Sequence, residues 1–304
     1  MLRREIEEIR EIKEVQEKST GVAAFFDLDG TLSPLPSLEK RLLRSLRDQK
    51  LVGVTNFLRW FGEAVRLARR GISQMVHANK MYLRGVRVDE AGRGTNIPAC
   101  RFLEGAAVRK ERKERKERKE RQARMPVLPF FREAVERVAR HVERGHLIVI
   151  VSGTLEPLAT LAARALEAEL ETRGLASEIR VCATRLEEKC ERWTGRIVGE
   201  AMYGEAKARA IRRLAAAADL DLERCFAYGD SSSDRWMLDA VGKAAAVNPV
   251  NDLERIARRN DWPVVFWGEE KRFTQNAQRA QRSQSREESR QRLQAEQERS
   301  GYGT

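Results

Sequence analysis

Short apolar runs of strand length alternate with helical patterns along most of this chain, and this alternation restricts the fold more than any other feature. The first run is VAAFF at 22–26, and similar runs follow at 146–151, 179–184, 225–228, 244–247 and 264–267. Helical patterns lie between them, for example at 130–145 and 157–174, and both of these end at a glycine. Strands that alternate with helices predict an α/β fold with a parallel sheet covered on both faces.

The segments outside this alternation predict how the chain is organised. Helical patterns recur at 37–49 and 56–71, after the first strand, with no comparable strand among them. A tail rich in Gln, Arg, Ser and Glu lacks enough apolar surface to offset chain entropy. We therefore predict a charged N-terminal helix (1–20), a doubly wound, Rossmann-like core (21–32 and 126–268), a helical insert over the sheet (33–125) and a disordered polar tail (269–304).

The charge of the chain suggests partners but does not decide among them. Its formal net charge is +12, which suits a polyanion such as nucleic acid or an acidic membrane surface. The RKERKERKERKER repeat at 109–121 has no apolar face, so it is interpreted first as a solvated helix or loop and second as a contact for nucleic acid or acidic lipid. The segment 56–71 is compatible with a weak membrane contact, although the same pattern serves a packed helix.

Location and redox state follow from what the sequence lacks. The charged N-terminal residues do not resemble a secretory signal, and no apolar run approaches the roughly 18 residues that span a bilayer. The four cysteines show no CxxC pair and no metal-ligand spacing. We therefore expect a cytoplasmic protein with reduced thiols and no transmembrane segment.

The first strand runs directly into an acidic segment, DLDGTL, in which Asp27 and Asp29 are two residues apart. Side chains at the carboxyl end of a parallel strand face the crevice where doubly wound folds bind ligands. Two carboxylates there are costly unless positive charge neutralises them. Mg²⁺ is the natural counterion, since it binds carboxylate oxygens, water and substrate phosphate. The acidic pair alone is a weak signal, because glycosyltransferases and calcium loops also carry one.

Three later segments supply groups that suit a phosphate. The second strand ends at SGT (152–154), where a hydroxyl and exposed amides precede a helix. Lys207 lies in the first turn of another helix, within reach of the same phosphate. Asp230 and Asp234 form a second acidic pair after the strand CFAY. Each feature alone is common in a helix cap, a surface turn or a polar loop, but together they indicate one phosphate and metal site.

Taken in order, DLDGTL, VSGT, the lysine and GDSSSD resemble the four motifs of the haloacid dehalogenase superfamily. The stretches RLEEKCERWTGRIVGEAMYGEAKARAI and AVNPVNDLERIARRNDWPVVFW are similar to its phosphoserine-phosphatase-like branch, subfamily IB. The resemblance covers about 20–268, and the insert at 33–125 matches the position of that branch's helical cap. It implies a Mg²⁺-dependent phosphatase whose substrate is a small phosphorylated metabolite, phosphoserine-like, or a lysophospholipid-like ester.

The resemblance also implies roles for the acidic residues. Asp27 would be the nucleophile that forms an aspartyl-phosphate, and Asp29 would be the general acid and then the general base. Asp230 would complete the Mg²⁺ site with Asp27 and the backbone carbonyl of Asp29. Elementary chemistry agrees with these roles: Asp27 is ionised at neutral pH without a separate base, whereas Asp29 must hold a proton, so its pKa should be raised by burial and neighbouring carboxylates.

The remaining motif residues would bind the phosphate or support the site. By the same resemblance, Ser152, Gly153 and Lys207 would hold the phosphoryl oxygens. Asp234 would steady its loop and the lysine, and Thr31 would also support the site from outside it. The positive charge of Lys207 would offset the repulsion between an anionic nucleophile and a phosphate dianion.

Two departures weaken phosphoserine as the substrate. Phosphoserine phosphatases carry an acid nine residues after the nucleophile, where it binds the substrate amine, but Pro36 stands there and the nearest acid is Glu39. Thr154 stands where those enzymes carry a second glycine.

Two alternative functions stay open at this point. One is a phosphotransferase that passes the phosphoryl group to an alcohol. The other is a non-catalytic member of the fold that binds nucleic acid or membrane through basic surfaces, which the intact acidic residues argue against.

Overall fold

The structure of the chain is a computed structural model that describes residues 21–68, 79–88 and 130–268. The chain divides into two compact units, Met1–Val265 and Phe266–Thr304, and the second is described only at residues 266–268. Three predicted features lie outside the described residues: the N-terminal helix (1–20), the KER repeat (109–121) and the polar tail (269–304).

A parallel sheet forms the centre of the first unit. The strands in chain order are β1 (Ala23–Phe26), β2 (Leu147–Leu155), β3 (Ile179–Thr184), β4 (Leu186–Lys189), β5 (Arg192–Ile197), β6 (Phe226–Gly229), β7 (Lys243–Val247) and β8 (Val264–Val265). Six of them form one sheet in the order β3-β2-β1-β6-β7-β8, and every pairing in it is parallel. The chain order reverses between β1 and β6, where such sheets open a crevice at their carboxyl ends. The predicted α/β class is confirmed.

Helices connect these strands, as the sequence patterns predict. They are α1 (Leu38–Asp48), α2 (Val54–Ala68), α3 (Arg132–Glu143), α4 (Glu156–Glu171), α5 (Glu205–Ala218), α6 (Arg235–Leu238) and α7 (Asn251–Arg259), with single 3₁₀ turns at Met81–Leu83 and Ser232–Asp234. Within the described ranges, none of these helices has the length and apolar character needed to cross a membrane.

The two faces of the sheet are covered by different helices, because successive strand side chains point to opposite sides. Ala23 and Phe25 belong to a buried cluster that includes Ile211 of α5 and Leu253 of α7. Phe26 points the other way, where its ring lies 5.9 Å from that of His141 on α3 and 4.6 Å from that of Tyr228 on β6. Helices therefore cover both faces, as in a doubly wound fold.

A β-hairpin outside the main sheet was not predicted from the sequence. Strands β4 and β5 pair antiparallel as a separate two-stranded sheet. Half of their residues are charged, most are half-buried or exposed, and Trp193 is the large apolar side chain that is buried. With so few apolar residues in alternation, the segment lacks the pattern by which a strand is recognised.

The hairpin contacts the described part of the insert. Trp193 N–H donates to the carbonyl of Val86 at 2.9 Å, and Gly85 N–H donates to the carbonyl of Trp193 at 2.8 Å. The insert is braced internally as well, since the Asn56 side chain on α2 donates to the carbonyls of Tyr82 and Arg84. Both predicted helices of the insert that fall in described residues, α1 and α2, are present.

Candidate active site

Asp27 lies at the centre of the carboxyl edge of the sheet. It directly follows β1, and its N–H donates to the carbonyl of Tyr228 on β6 at 2.9 Å, which extends the parallel pairing past Phe26. Its carboxylate is buried, and Oδ1 accepts a hydrogen bond from Lys207 Nζ at 2.6 Å. Burial raises the pKa of Asp27 to about 7; Lys207 opposes that rise, and the charge of Asp234 adds to it.

Lys207 joins two carboxylates that come from different strand ends. It lies in the first turn of α5, and its Nζ is 2.6 Å from Asp27 Oδ1 and 2.6 Å from Asp234 Oδ1. Its side chain is only 3% exposed. Burial disfavours the ammonium, but the two carboxylates outweigh burial and raise the pKa of Lys207 above its ordinary value. Lys207 therefore remains a cation at neutral pH.

The loop after β6 aims Asp234 at the lysine. Asp234 Oδ2 accepts hydrogen bonds from Ser231 N–H at 3.0 Å and from Ser231 Oγ at 2.8 Å. These bonds hold one oxygen of the carboxylate and leave Oδ1 directed at Lys207. Gly229 is required here, since a Cβ at that position would lie 2.5 Å from the Cβ of Asp234.

Three buried carboxylates, two of which contact this lysine, lie close together and could hold a metal ion. Oxygen atoms of Asp27, Asp230 and Asp234 all lie within 4.8 Å of one another. Gly30 allows this approach: its φ is +96°, and a Cβ there would lie 2.1 Å from Asp230 Oδ2. Lys207 contributes one positive charge to three carboxylates, so a divalent cation with a preference for oxygen ligands fits the cluster.

Asp29 is held separately from this cluster, although it is only two residues from Asp27. Its Oδ1 accepts from Leu38 N–H at 2.9 Å, at the start of α1, and its Oδ2 accepts from Thr154 Oγ1 at 2.5 Å. Burial raises the pKa of Asp29 above its ordinary value, against these two hydrogen bonds, and the charge of Glu39 adds to the rise. The predicted rise of the Asp29 pKa therefore agrees with the structure.

The last residues of β2 approach the same place; the sequence predicts residues 152–154 after the strand, but in the structure they lie within it. Ser152 is 1% exposed, and its Oγ accepts from Thr154 N–H at 3.2 Å. The carbonyl of Gly153 accepts from Thr184 Oγ1 at 2.9 Å, which fixes the peptide between the strands. The bond between Thr154 and Asp29 then brings this end of β2 into contact with the acidic segment after β1.

Thr31 is a predicted supporting residue whose side-chain hydroxyl makes no hydrogen bond to the described residues. That hydroxyl is buried. The backbone around it is well tied, since Leu32 and Ser33 N–H both donate to the carbonyl of Leu28 at 3.0 and 2.9 Å.

The structure thus brings Asp27, Lys207, Asp230 and Asp234 together from three separate segments, as the motifs predict. The carboxylate of Asp29 is not among the three that could hold a metal ion, and Asp234 is one of them. The sequence predicts that Asp29 reaches the metal through its backbone carbonyl. The position of its carboxylate does not test this, so it stays a prediction.

Sequence reasoning missed two sets of contacts near the site. It treated Thr154 only as a departure from a glycine, whereas the structure shows that its hydroxyl holds Asp29. It also gave no role to Lys80, whose buried ammonium contacts both oxygens of Glu39 at 2.5 and 2.7 Å. The one available signal was the threonine itself, a hydroxyl in the segment that the sequence predicts to bind phosphate.

Comparison with known proteins places the chain in a family. The model for haloacid dehalogenase-like hydrolases matches residues 24–239, more than half of the sequence, so the chain belongs to the haloacid dehalogenase-like hydrolase family. This match confirms the resemblance that the motifs indicate. A protein of unknown function from Bordetella pertussis has a similar solved structure, with a TM-score of 0.54 and 25% identity, covering 80% of this chain and 97% of that one.

Curated relatives are similar over a shorter stretch. A "Probable phosphatase" of Mycobacterium tuberculosis is 40% identical over 135 residues, which is 44% of this chain and 43% of the relative. "Phosphoserine phosphatase SerB1" of the same organism is 36% identical over 129 residues, 42% of this chain and 39% of the relative. The "Inhibition of morphological differentiation protein" of Streptomyces azureus is 39% identical over 138 residues, 44% and 45%. The chain thus spans less than half the length of these relatives.

Proposed function

We propose that the protein is a Mg²⁺-dependent phosphomonoester hydrolase that works through an aspartyl-phosphate on Asp27. The observation that carries the proposal is the different surroundings of two neighbouring carboxylates. Asp27 contacts the ammonium of Lys207 at 2.6 Å within an acidic cluster, whereas the Asp29 carboxylate lies outside that cluster and accepts hydrogen bonds from Leu38 N–H and Thr154 Oγ1. Two carboxylates whose environments differ in this way suit a nucleophile and a proton donor.

In the first half of the reaction, Asp27 attacks the phosphorus atom and the bond from phosphorus to the leaving oxygen breaks. Asp29 gives its proton to that oxygen, so the alcohol leaves neutral and Asp29 becomes ionised. In the second half, Asp29 takes a proton from water, and the water oxygen bonds to phosphorus. The bond from phosphorus to Asp27 then breaks, which releases inorganic phosphate and restores both carboxyl groups.

The other site residues bind charge. Lys207, the Ser152 hydroxyl and the backbone amide of Gly153 hold the phosphoryl oxygens. Asp27, Asp230 and the backbone carbonyl of Asp29 would hold Mg²⁺, which when bound offsets the negative charge of the phosphoryl group. Asp234 steadies Lys207, and its hydrogen bond to the ammonium supports this role. Thr31 is assigned a supporting role on the motif alone, because its buried hydroxyl has no hydrogen-bond partner among the described residues.

We propose the same division of the chain that the sequence indicates. Residues 21–32 and 126–268 form the catalytic core, and 33–125 form a helical cap. The bond from Leu38 N–H to Asp29 supports this division, because it links the start of the insert to the proton donor. A cap at this place would exclude water during the reaction. The substrate is a small phosphorylated metabolite, phosphoserine-like, or a lysophospholipid-like ester.

One observation favours a second role, a weak contact with acidic lipid. Helix α2 exposes Val54, Leu58, Phe61 and Val65, which recur three and four residues apart. Flotation with vesicles that contain phosphatidylserine tests this role. We expect partial recovery with the vesicles, and a protein that stays wholly in the aqueous fraction contradicts it.

The main proposal is tested by phosphate release from an aryl phosphate. We expect turnover with MgCl₂ and its loss with EDTA, and we expect Asp27→Asn to lower kcat by about 10⁴-fold or more. Asp239→Asn makes the same chemical change at an exposed position and serves as the control. Added glycerol separates hydrolysis from transfer to an alcohol, and we expect inorganic phosphate as the main product. Equal activity of Asp27→Asn and wild type would contradict the proposal.

A further inference from the structure

A second buried lysine–carboxylate cluster lies in the insert, formed by Glu39, Lys80 and Tyr82. Lys80 Nζ contacts Glu39 Oε1 at 2.5 Å and Oε2 at 2.7 Å. The hydroxyl of Tyr82 also donates to Glu39 Oε1. The Lys80 side chain is 8% exposed and that of Glu39 is 17% exposed, so the pair is largely shielded from water. The mechanism proposed above makes no use of this cluster.

The cluster lies beside the proton donor. Leu38 N–H, at the start of α1, donates to Asp29 Oδ1 at 2.9 Å, and Glu39 is the next residue of the same helix turn. If Asp29 protonates the leaving oxygen, as the proposed function requires, the alcohol part of the substrate must lie next to Asp29. The leaving group and the Glu39 carboxylate are therefore close neighbours.

The negative charge of Glu39 is already neutralised by the ammonium of Lys80. Both carboxylate oxygens accept from one ammonium, and the tyrosine adds a third donor. A substrate ammonium would have to displace Lys80, which would leave a nearly buried lysine without its partner, or else give up its water beside a carboxylate whose charge is already neutralised. Either outcome disfavours an amine in the leaving group.

The cluster is also fixed in place, so it cannot easily open for a substrate. Asn56 Nδ2 donates to the carbonyl of Tyr82 at 3.0 Å, and Asn79 Nδ2 donates to the carbonyl of Trp60 at 2.8 Å. On the other side, Gly195 of β5 lies against Met81, where a Cβ would come within 2.9 Å of its Cα. Helix α2 and the hairpin thus hold the segment that carries Lys80.

We infer that the preferred substrate is the phosphate monoester of an alcohol without an ammonium group, because Lys80 occupies the carboxylate that would otherwise bind one. This inference rests on the proposed function and narrows its substrate class. It makes Lys80 and Glu39 specificity-determining residues and gives them no part in the chemical step.

Matched pairs of substrates test it. O-phosphoserine and 3-phosphoglycerate differ by an ammonium in place of a hydroxyl, and so do phosphoethanolamine and 2-hydroxyethyl phosphate. We expect wild-type kcat/KM to favour the amine-free ester of each pair by about tenfold or more. An aryl phosphate, which has neither group, reports hydrolysis itself.

Variants of the cluster should change the ratio of kcat/KM for the amine-free ester to kcat/KM for the amine-containing ester, in opposite directions. Lys80→Met frees the Glu39 carboxylate, so we expect the ratio to shift toward the amine by about tenfold. Glu39→Gln leaves the lysine unmatched, and we expect a shift further toward the amine-free ester. Lys189→Met, at an exposed position of the hairpin, controls for the loss of a lysine, and circular dichroism checks that each variant is folded.

The outcomes separate this inference from the proposed function. Wild-type protein that cleaves the aryl phosphate but shows no preference for the amine-free esters, or no release from them, overturns the inference alone. A folded Lys80→Met variant with the wild-type ratio also overturns it. If no substrate gives release that depends on Asp27, both the proposed function and this inference fail.

Discussion

The two buried lysines in the described part of the chain, Lys207 and Lys80, differ in how much negative charge surrounds them. Lys207, at the carboxyl edge of the sheet, contacts Asp27 and Asp234, and Asp230 lies in the same cluster. Lys80, in the insert, contacts the single carboxylate of Glu39. Both side chains are largely buried, at 3% and 8% exposure, so burial does not distinguish them.

This difference indicates which of the two clusters can bind a further cation. A buried carboxylate that is already paired gains little from another cation, whereas a cluster with more carboxylates than ammonium groups is stabilised by one. The cluster at the strand ends therefore suits a metal ion and a phosphate. The balanced pair in the insert suits a neutral neighbour. The predictions below test this contrast, in order of decreasing effect.

The largest expected difference is in activity. Lys207→Met removes the cation that contacts Asp27 and that we propose binds the phosphate, so we expect kcat/KM for an aryl phosphate to fall by about 10³-fold or more. Lys80→Met should cost at most about tenfold on the same substrate, since it changes only the surroundings of the leaving group. Steady-state kinetics at saturating MgCl₂ measure both. Similar losses of activity in the two variants would contradict the different roles assigned to the two lysines.

The next difference is in stability. Lys207→Met leaves buried carboxylates facing one another, and we expect the free energy of unfolding to fall by about 3–5 kcal/mol. Lys80→Met leaves one partly exposed carboxylate that keeps its bond to Tyr82, so a loss of about 1–2 kcal/mol is expected. Urea unfolding without metal measures both values, with Lys189→Met as the surface control. A larger loss of stability for Lys80→Met than for Lys207→Met would contradict the claim that the surplus negative charge lies in the cluster around Lys207.

Metal binding should stabilise only one of the two clusters. We expect MgCl₂ to raise the free energy of unfolding of the wild type by about 2.7 kcal/mol at a hundredfold excess over Kd. Asp230→Asn removes a carboxylate of the cluster and should abolish most of this gain, whereas Glu39→Gln should retain it. Thermal unfolding in MgCl₂ and in EDTA provides the measurement. Equal gains in Asp230→Asn and wild type would place the metal elsewhere.

A smaller effect should follow from loosening Asp29. Thr154→Val removes the hydroxyl that donates to Asp29 Oδ2, and we expect kcat to fall by about 10- to 100-fold with little change in KM. Thr154→Ser keeps the hydroxyl and should restore most of the rate. If Thr154→Val retains the full kcat, the hydrogen bond to Asp29 has no part in positioning the proton donor.

The core and its acidic residues could be predicted because their signals are local. Apolar runs such as VAAFF show a buried strand directly, and the acidic residues follow those strands by one or a few positions. Parallel strands then bring their carboxyl ends to one edge, which accounts for the meeting of Asp27, Asp230 and Asp234.

Contacts between side chains far apart in the sequence could not be predicted. Thr154 bonds to Asp29 across 125 residues, and Lys80 bonds to Glu39 across 41 residues. Neither pair has a periodicity that marks it, and a lysine in a polar segment is usually exposed. The hairpin of β4 and β5 was not predicted for a related reason, because its pairing uses the backbone and depends little on apolar side chains.

The central claim, that Asp27 carries the phosphoryl group, is tested most directly by trapping the intermediate. Borohydride reduces an aspartyl-phosphate to homoserine, and peptide mass spectrometry identifies the residue that changed. After incubation of the Asp29→Asn variant with MgCl₂ and an aryl phosphate, we expect homoserine at position 27 and at no other aspartate. Homoserine at another position, or none in a variant that still releases phosphate, would contradict the account.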